Sequence, residues 1–209
     1  MGIIISIDHV ISLISSIMVL SAAIVGLIGV NSWRKQLRGK RKFSITEDVL
    51  TAFYQASDII RNMRYPVSSV EEGKSRPKSN DENEEQSEFM DRAYVVYVRY
   101  YKEKEFFSKL WALKYKVRAL MGKGAIKPFE DLHTVINDIL FAAHMLGKYY
   151  WPKTKRIEDP TELNKHYDNM NKREALLYFK YEDPDPIEAR IDKIITDIEN
   201  IVRKSDVKI

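Results

Sequence analysis

The sequence predicts an all-α protein, with one N-terminal transmembrane helix followed by a cytoplasmic bundle of four or five helices. Two observations lead to this prediction. Residues 10–32 contain no charged side chain. In the rest of the 209-residue chain, apolar residues recur at helical spacing and show no strand-like alternation. The predicted domains are an anchor over 1–33, a basic juxtamembrane linker over 34–43 and the bundle over 44–209.

The apolar stretch 10–32 is long enough to cross a bilayer. As an α-helix it spans roughly 35 Å, and the hydrocarbon core of a bilayer is about 30 Å thick. A cleaved signal peptide is the alternative, with Ser21, Ala22 and Ala23 as its cleavage site. No Lys or Arg precedes the stretch, which continues to Val30, and a basic block follows it. These features favour a retained anchor.

The basic block places six cations within nine residues: Arg34, Lys35, Arg38, Lys40, Arg41 and Lys42. Because the cations all follow the stretch, the positive-inside rule predicts a single-pass protein of the cell (inner) membrane, with its N-terminus outside and its C-terminal domain in the cytoplasm. The cations should bind the anionic headgroups of the lipid bilayer, each contributing about 1 kcal/mol. Nucleic acid is the alternative ligand, and the adjacent apolar stretch favours lipid.

Small residues recur along one side of the apolar stretch, at Ser15, Ala22, Gly26 and Gly29. Small side chains let two helix backbones approach closely, as in dimers of the GxxxG type. The stripe therefore suggests self-association of the span into a homo-oligomer. Small residues are common in spans, so a monomer is the alternative.

Composition and motifs limit the chemistry that the chain can perform. The net charge of +4 is smaller than the basic block, and there is no cysteine, which excludes disulfides, Cys-ligated zinc and a Cys nucleophile. Phosphate-binding loops and nucleophile elbows are absent. Glu130-x-x-His133 has a metal-like spacing, but di-iron bundles repeat this pair on two helices. We expect no enzyme and no cofactor, with a metal-dependent enzyme at Glu130 and His133 as the alternative.

A helix is predicted from Ser44 to Arg64, beginning with a capping box between Ser44 and Glu47. Arg61 and Arg64 fall in its last turn, where the helix dipole favours cations. The following segment, 67–88, is acidic and holds almost no apolar residue. It buries too little surface to offset the entropy of ordering, so we expect a mobile acidic loop. This loop is either a solvated linker or a docking surface.

The segment 89–121 is predicted to form one long helix with a surplus of aromatic residues. Tyr97, Tyr101 and Trp111 widen its apolar stripe, and such side chains suit partly wet contacts. We expect these three residues to form a partner interface, with a central core helix as the alternative. Basic residues interleave with the aromatics, as in sites for single-stranded nucleic acid. Two glutamates interrupt them, so no nucleic-acid partner is expected.

Three further helices are predicted towards the C-terminus. The first covers 127–150 and ends in an aromatic run. The second begins at the Asp159-Pro160 cap and runs to about 179, as one helix or as two short pieces. The third begins at the Asp185-Pro186 cap, and its seam consists of Ile187, Ile191, Ile194, Ile198 and Ile201. Their spacing is nearly that of a coiled coil, but the seam is short, so packing within the chain's own bundle is favoured over an intermolecular coil.

Several short motifs give the chain a recognisable layout. They are the span exit Trp33–Lys40, the stretch Arg61–Pro66, Trp111 in the long helix and the acidic turn Asp183-Pro184-Asp185. In this layout the chain resembles a group of bacterial single-span membrane proteins with no assigned activity. The resemblance implies a bacterial origin and a helical domain behind one span, and it assigns no functional residue. The acidic loop departs from the group, which has a small proline-containing turn there.

Together these observations favour a membrane-tethered, non-enzymatic helical interaction or scaffold module with a protein partner. The alternative is a membrane-acting effector or sensor, for instance in a bacterial conflict or defence system, that works through oligomerisation of its single span. The small-residue stripe motivates this alternative.

Overall fold

A computed structural model describes residues 7–206, and every regular element in this range is a helix. The α-helices are α1 (Ile7–Met63), α2 (Glu84–Lys102), α3 (Lys104–Met121), α4 (Lys127–Met145), α5 (Trp151–Thr154), α6 (Pro160–Leu177) and α7 (Pro186–Asp206). A short 3-10 helix at Lys123–Ile126 precedes α4, and a π-helical turn at Leu146–Tyr150 joins α4 to α5. The all-α prediction is confirmed for the described residues.

The chain forms two compact units, residues 1–44 and residues 45–209. In the first unit the structure describes one helical stretch, the part of α1 up to Ser44. The second unit contains the rest of α1 and all later helices. Every buried apolar side chain among the described residues belongs to the second unit, so the described part of the first unit has no core of its own.

Helix α1 continues through the predicted linker. Residues 34–43 are helical, and Ser44 lies inside the helix. The prediction of a helix that begins at Ser44 is wrong, because a capping side chain needs the free N–H groups of a first turn and a continuing helix has none. The linker consists mainly of Lys, Arg, Gln and Leu, which favour helix, so little in it stops the helix.

Helix α4 is the centre of the second unit and packs against α2, α6 and α7. Phe129, near its start, meets Phe53 of α1 edge to face, with ring centroids 4.8 Å apart. The predicted packing of the isoleucine seam within the chain is confirmed, because four of its members are buried in the same core: Ile187, Ile191, Ile194 and Ile198.

The predicted helix 89–121 is two helices, α2 and α3. The break falls at Glu103, whose φ of −96° and ψ of 12° lie outside the α region. Glutamate has a good helix propensity, so we attribute the break to packing. Tyr100 stacks on Phe107 across it, with ring centroids 5.2 Å apart.

Helix α2 begins within the segment predicted as a mobile loop. Asn83 and Gln86 form a reciprocal capping box, in which the Gln86 N–H donates to Asn83 Oδ1 at 2.8 Å. Glu84 and Glu85 fall in the first turn, where the helix dipole favours acidic side chains. The acidic run is therefore partly a helix start, and the mobility of the residues before it stays a prediction.

Close contacts hold the remaining loop, residues 67–83, against α2. Arg76 Nη2 lies 2.5 Å from Glu82, and Arg76 Nε lies 3.2 Å from Asp91 of α2. Gly73 packs so closely that a Cβ would lie 1.8 Å from the Asp91 carbonyl oxygen. The loop is thus tied to α2 through backbone as well as side chains.

The prediction of a helix over 127–150 places its end at the aromatic run. In the structure the helical segment continues past this run. A π-helical turn follows α4, and α5 adds one more turn up to Thr154. Pro152 falls in the first turn of α5, where its missing N–H is tolerated.

Gly147, in the π-helical turn, allows α2 to cross closely. A Cβ here would lie 2.6 Å from the Cβ of Ala93 and 3.1 Å from the carbonyl oxygen of Phe89. We expect Gly147→Ala to lower the free energy of unfolding by about 1–3 kcal/mol, because the added carbon has no room. Chemical denaturation followed by tryptophan fluorescence measures this. Gly124→Ala, where a Cβ meets nothing within 4 Å, is the matched control, and equal stability of the two variants would contradict the prediction.

Helix α6 is one continuous helix, which decides between the two predicted forms. Its cap is Asp159, whose Oδ1 accepts a hydrogen bond from the Glu162 N–H at 2.7 Å. The helix ends at Leu177, slightly before the predicted end. The predicted cap of α7 is also confirmed, because Asp185 Oδ1 accepts from the Ile187 N–H at 2.9 Å.

Candidate functional site

The apolar stretch of α1 is fully exposed. All side chains from residue 9 to residue 38 are exposed, and Leu27, for example, is 72% exposed. Among the described residues, α1 is the one helix that is long and apolar enough to cross a membrane. The mean hydropathy of its apolar 18-residue stretch is 2.5. By length and composition this stretch is a candidate membrane span.

The predicted self-association residues lie on one side of this stretch. At 100° per residue they fall within an arc of about 60°. The Ser15 hydroxyl donates to the carbonyl of Ile11 at 2.8 Å, so it needs no water. A Cβ on Gly26 or Gly29 would meet nothing within 4 Å. This side, which also carries Ala22, is open to a second helix, and self-association stays a prediction.

The six predicted lipid-binding cations also lie on α1. At 100° per residue, one of them, Lys40, lies on the opposite side from the rest, which share a face about 120° wide: Arg34, Lys35, Arg38, Arg41 and Lys42. Lys42 is half-buried and the other five are exposed. Because residues 34–43 are helical, five of the six cations form one basic face of α1. The binding of this basic face to anionic headgroups stays a prediction.

The structure does not gather the three predicted interface residues into one exposed surface. Tyr97 is half-buried, and its hydroxyl donates to the carbonyl of Leu140 at 2.8 Å. Burial raises the pKa of this Tyr97 hydroxyl. Trp111 stacks on Phe107, with ring centroids 6.2 Å apart, and Tyr101 is 54% exposed. Tyr97 and Trp111 contribute to packing, so Tyr101 offers the most exposed surface of the three.

Glu130 and His133 are engaged with neighbouring side chains. Glu130 Oε1 lies 3.2 Å from Lys114 Nζ. The His133 ring packs edge-on against Trp111, and its Nδ1 lies 3.1 Å from Asn137 Nδ2. Within the described part of the chain, no group of three or more His, Asp or Glu side chains is placed to hold a metal ion. The absence of catalysis stays a prediction.

Arg64, directly after α1, is the most deeply buried charged residue among those described, at 1% exposure. Its Nε donates to the carbonyl of Leu176 at 2.8 Å, and its Nη2 donates to the carbonyls of Ala175 and Tyr178 at 2.8 and 2.9 Å. The Arg64 carbonyl accepts from the Phe179 N–H. From the sequence, Arg64 was expected to interact with the dipole of its own helix, α1. In the structure it instead donates hydrogen bonds to the carbonyls at the C-terminal end of α6.

Asp185, at the start of α7, neutralises Arg64. Its carboxylate oxygens accept from Arg64 Nη2 at 3.0 and 3.1 Å, and they also accept the N–H groups of Lys180, Ile187 and Glu188. Burial acts to raise the pKa of Asp185, but the hydrogen bonds outweigh it and leave the pKa below its ordinary value. Arg64 Nη1 has no hydrogen-bond acceptor among the described residues.

Two separate sequence motifs therefore meet at one junction. The stretch Arg61–Pro66 supplies Arg64, and the turn Asp183-Pro184-Asp185 supplies its carboxylate. Arg61 adds a second link, with its Nε 2.8 Å from Glu188 of α7. The sequence signal was a pair of opposite charges beside prolines at two helix ends, and such a signal does not show which charges pair.

Arg99 of α2 fixes the chain where it leaves α1. Its Nη1 donates to the carbonyl of Tyr65 at 2.6 Å, its Nη2 donates to the carbonyl of Val67 at 2.8 Å, and its Nε pairs with Glu72 at 2.8 Å. The hydrogen bond from Arg99 is the main cause of the lowered pKa of Glu72. Sequence reasoning assigned Arg99 no role.

No protein-family model matches the chain, no curated protein matches it, and no solved structure matches its fold. Its function is therefore inferred from its own surfaces and contacts.

Proposed function

We propose that the protein is a single-span, membrane-tethered, non-enzymatic helical interaction module. The exposed apolar stretch between Val10 and Val30, followed on the same helix by the basic face, carries this proposal. Its twelve Ile, Leu and Val residues contribute about −5 kcal/mol to membrane insertion. Anionic headgroups attract the cations that follow. A bilayer is the environment that stabilises both surfaces.

In the proposed topology the N-terminus lies outside the inner membrane, and the second unit lies in the cytoplasm as a bundle of four or five helices. The charge bias around the span supports this orientation. The lack of cysteine agrees with a reducing compartment. The span fixes the location, and exposed side chains of the second unit, Tyr101 among them, contact a protein partner.

Cysteine labelling tests the tether and its orientation, because the natural chain has no cysteine. In spheroplasts, a membrane-impermeant maleimide should label Gly2→Cys and leave Glu182→Cys unlabelled until lysis. Replacing the six cations of the basic block with Gln should yield both orientations, since the charge bias is then gone.

The matched control for this charge variant replaces six exposed cations of the second unit with Gln: Lys102, Lys104, Lys109, Lys116, Arg118 and Lys123. In sequence these residues lie well beyond the roughly 15–20 residues next to a span whose charges set its orientation, so labelling should not change. Labelling of Glu182→Cys in intact spheroplasts with the natural basic block would contradict the proposed topology.

A second function, a membrane-acting effector or sensor, has the open side of the span in its favour. It requires the span to oligomerise. Light scattering of the full chain in detergent micelles separates the two functions. A monomer supports the tethered module, whereas an oligomer that Gly26→Leu with Gly29→Leu disrupts supports the effector.

A further inference from the structure

Helix α3 and the turn after it carry a local excess of positive charge. Residues 45–209 hold 28 of the 34 Lys and Arg residues and 29 of the 30 Asp and Glu residues, so the second unit as a whole is close to neutral. The segment 102–131, by contrast, contains eight cations and four acids. This excess creates a local positive potential that attracts an anionic partner.

The exposed side of α3 is an uncharged ridge between two rows of cations. At 100° per residue, four residues form the ridge within an arc of about 60°: Ser108, Ala112, Tyr115 and Ala119. One row consists of Lys109 and Lys116, and the other consists of Lys104 and Arg118. All eight side chains are exposed. We call this surface the α3 face.

Three of the four cations of the α3 face have no carboxylate partner in the chain. In the described chain, the ion pairs of the segment 102–131 use other cations, namely Lys109, Lys114 and Lys127. Glu105, the acid next to the ridge, lies 2.7 Å from Lys109 Nζ. No acid of the chain therefore offsets the remaining three cations, which can bind an external anion.

The side chains of the α3 face suit a lipid surface better than nucleic acid. Helices that lie at a membrane surface combine Lys and Arg with exposed aromatic and leucine side chains. Tyr115 is 70% exposed, and Leu120, next to the row with Lys116, is 42% exposed. Sites for single-stranded nucleic acid stack successive bases on several aromatic rings, whereas Tyr115 is the one aromatic residue of the α3 face.

The proposed tether keeps the second unit close to a lipid surface, and the present inference rests on that tether. Twelve residues, 33–44, separate the apolar stretch from the second unit. Even a fully extended chain of this length spans at most about 40 Å. Tethering gives a high effective concentration of the bilayer at the second unit, so a surface of modest affinity is enough for binding.

We propose that the α3 face is a second lipid-binding surface, which binds anionic phospholipid headgroups. The unpaired cations Lys104, Lys116 and Arg118 contact the headgroup phosphates, and Tyr115 enters the boundary between water and apolar chains, which suits its polar tip and apolar ring. The small residues of the ridge let the helix approach the headgroups closely. Binding through the α3 face orients the second unit on the membrane, which a span alone does not do.

Fluorescence quenching of a label on the ridge tests this inference in the full chain. The natural chain has no cysteine, so Ala112→Cys carries a single fluorophore. The labelled chain is placed in nanodiscs whose lipids include some headgroups with a nitroxide quencher. Nanodiscs that contain phosphatidylglycerol should quench the label more strongly than phosphatidylcholine alone, by about twofold or more. The matched control is a label at Asn164→Cys, exposed on α6, which should respond equally in both lipids.

Replacing Lys104, Lys116 and Arg118 with Gln should remove the additional quenching. Each cation near an anionic surface contributes a factor of about five, so the loss of three weakens binding by about 100-fold. The matched control replaces three exposed cations of α6 and α7 with Gln: Lys165, Lys172 and Lys193. It makes the same change in net charge and should leave the quenching as it is.

The inference fails if the ridge label is quenched equally in the two lipids, or if the two Gln variants behave alike. It also fails if single-stranded RNA changes the fluorescence of the ridge label and anionic lipid does not, because the α3 face then binds nucleic acid. Co-elution of the chain with nanodiscs tests the tether separately. A chain that co-elutes without additional quenching overturns this inference alone, whereas a chain that does not co-elute overturns the tether as well.

Discussion

Replacing Arg64 with alanine should lower the free energy of unfolding by about 3–5 kcal/mol, because it leaves the buried Asp185 carboxylate without its counterion. Three carbonyls at the end of α6 lose a donor as well. Folded proteins are stable by only about 5–15 kcal/mol, so this loss is a large fraction of the total stability. Urea denaturation of the detergent-solubilised full chain, followed by tryptophan fluorescence, measures it.

Arg61→Ala is the matched control for this variant. Arg61 lies one helical turn earlier and pairs with Glu188 and Asp58, but its side chain is 37% exposed. Partly exposed ion pairs contribute about 0–1 kcal/mol, so this variant should remain close to the natural chain. A double variant of Arg64 and Asp185 should cost less than the sum of its two single changes. If Arg64→Ala and Arg61→Ala have equal free energies of unfolding, the buried pair of Arg64 and Asp185 stabilises the fold no more than the partly exposed pairs of Arg61 do.

Acid titration gives the same junction a second readout. The pKa of Asp185 is lower in the folded chain than its ordinary value. The ionised carboxylate therefore stabilises the fold, and this contribution is complete above an unfolded pKa of about 4 and is lost as the pH falls through the folded pKa. Asp185→Asn should flatten the loss of stability below about pH 4.

Replacing Leu20 and Ile24 with arginine should release the protein from the membrane. Each arginine near the centre of a span costs about 2.5–3.5 kcal/mol, and the two together exceed the roughly −5 kcal/mol that the apolar residues contribute. The fraction of full-length chain that resists carbonate extraction measures the effect. Most of the natural chain should stay with the membrane and most of the variant should not.

The matched control adds two arginines on the same helix outside the apolar stretch, at Gln36 and Phe43. Both positions are exposed and lie beside existing cations, so membrane retention should be unchanged. If the Leu20→Arg, Ile24→Arg variant were retained as well as this control, the apolar stretch would not be a span.

Local sequence patterns predicted the helices but not all of their ends. The caps at Asp159 and Asp185 are correct because a cap depends on residues within one turn of it. The cap predicted at Ser44 is wrong because the same local pattern also fits inside a continuing helix. The break at Glu103 had no local signal, since it depends on how α2 and α3 pack.

The junction at Arg64 was beyond sequence reasoning for a different reason. An arginine in a last turn is an ordinary exposed residue, and only the fold shows that its partner is 121 positions away. Two of the aromatic residues were predicted to contact a partner, and the structure packs them partly against their own chain. Tyr97 and Trp111 were expected on a surface, but half-buried aromatic residues have the same spacing whether they contact a partner or their own chain.

The separation between Arg64 and Asp185 also affects the chain during its synthesis. At 5–20 residues per second, translation of the 121 residues from Tyr65 to Asp185 takes about 6–24 s. Throughout that interval the nascent chain carries an arginine whose carboxylate does not yet exist. The second unit therefore completes its fold only after Asp185 has been translated. A message truncated before the codon for Asp185 yields a polypeptide that cannot form this junction and becomes a substrate for proteolysis.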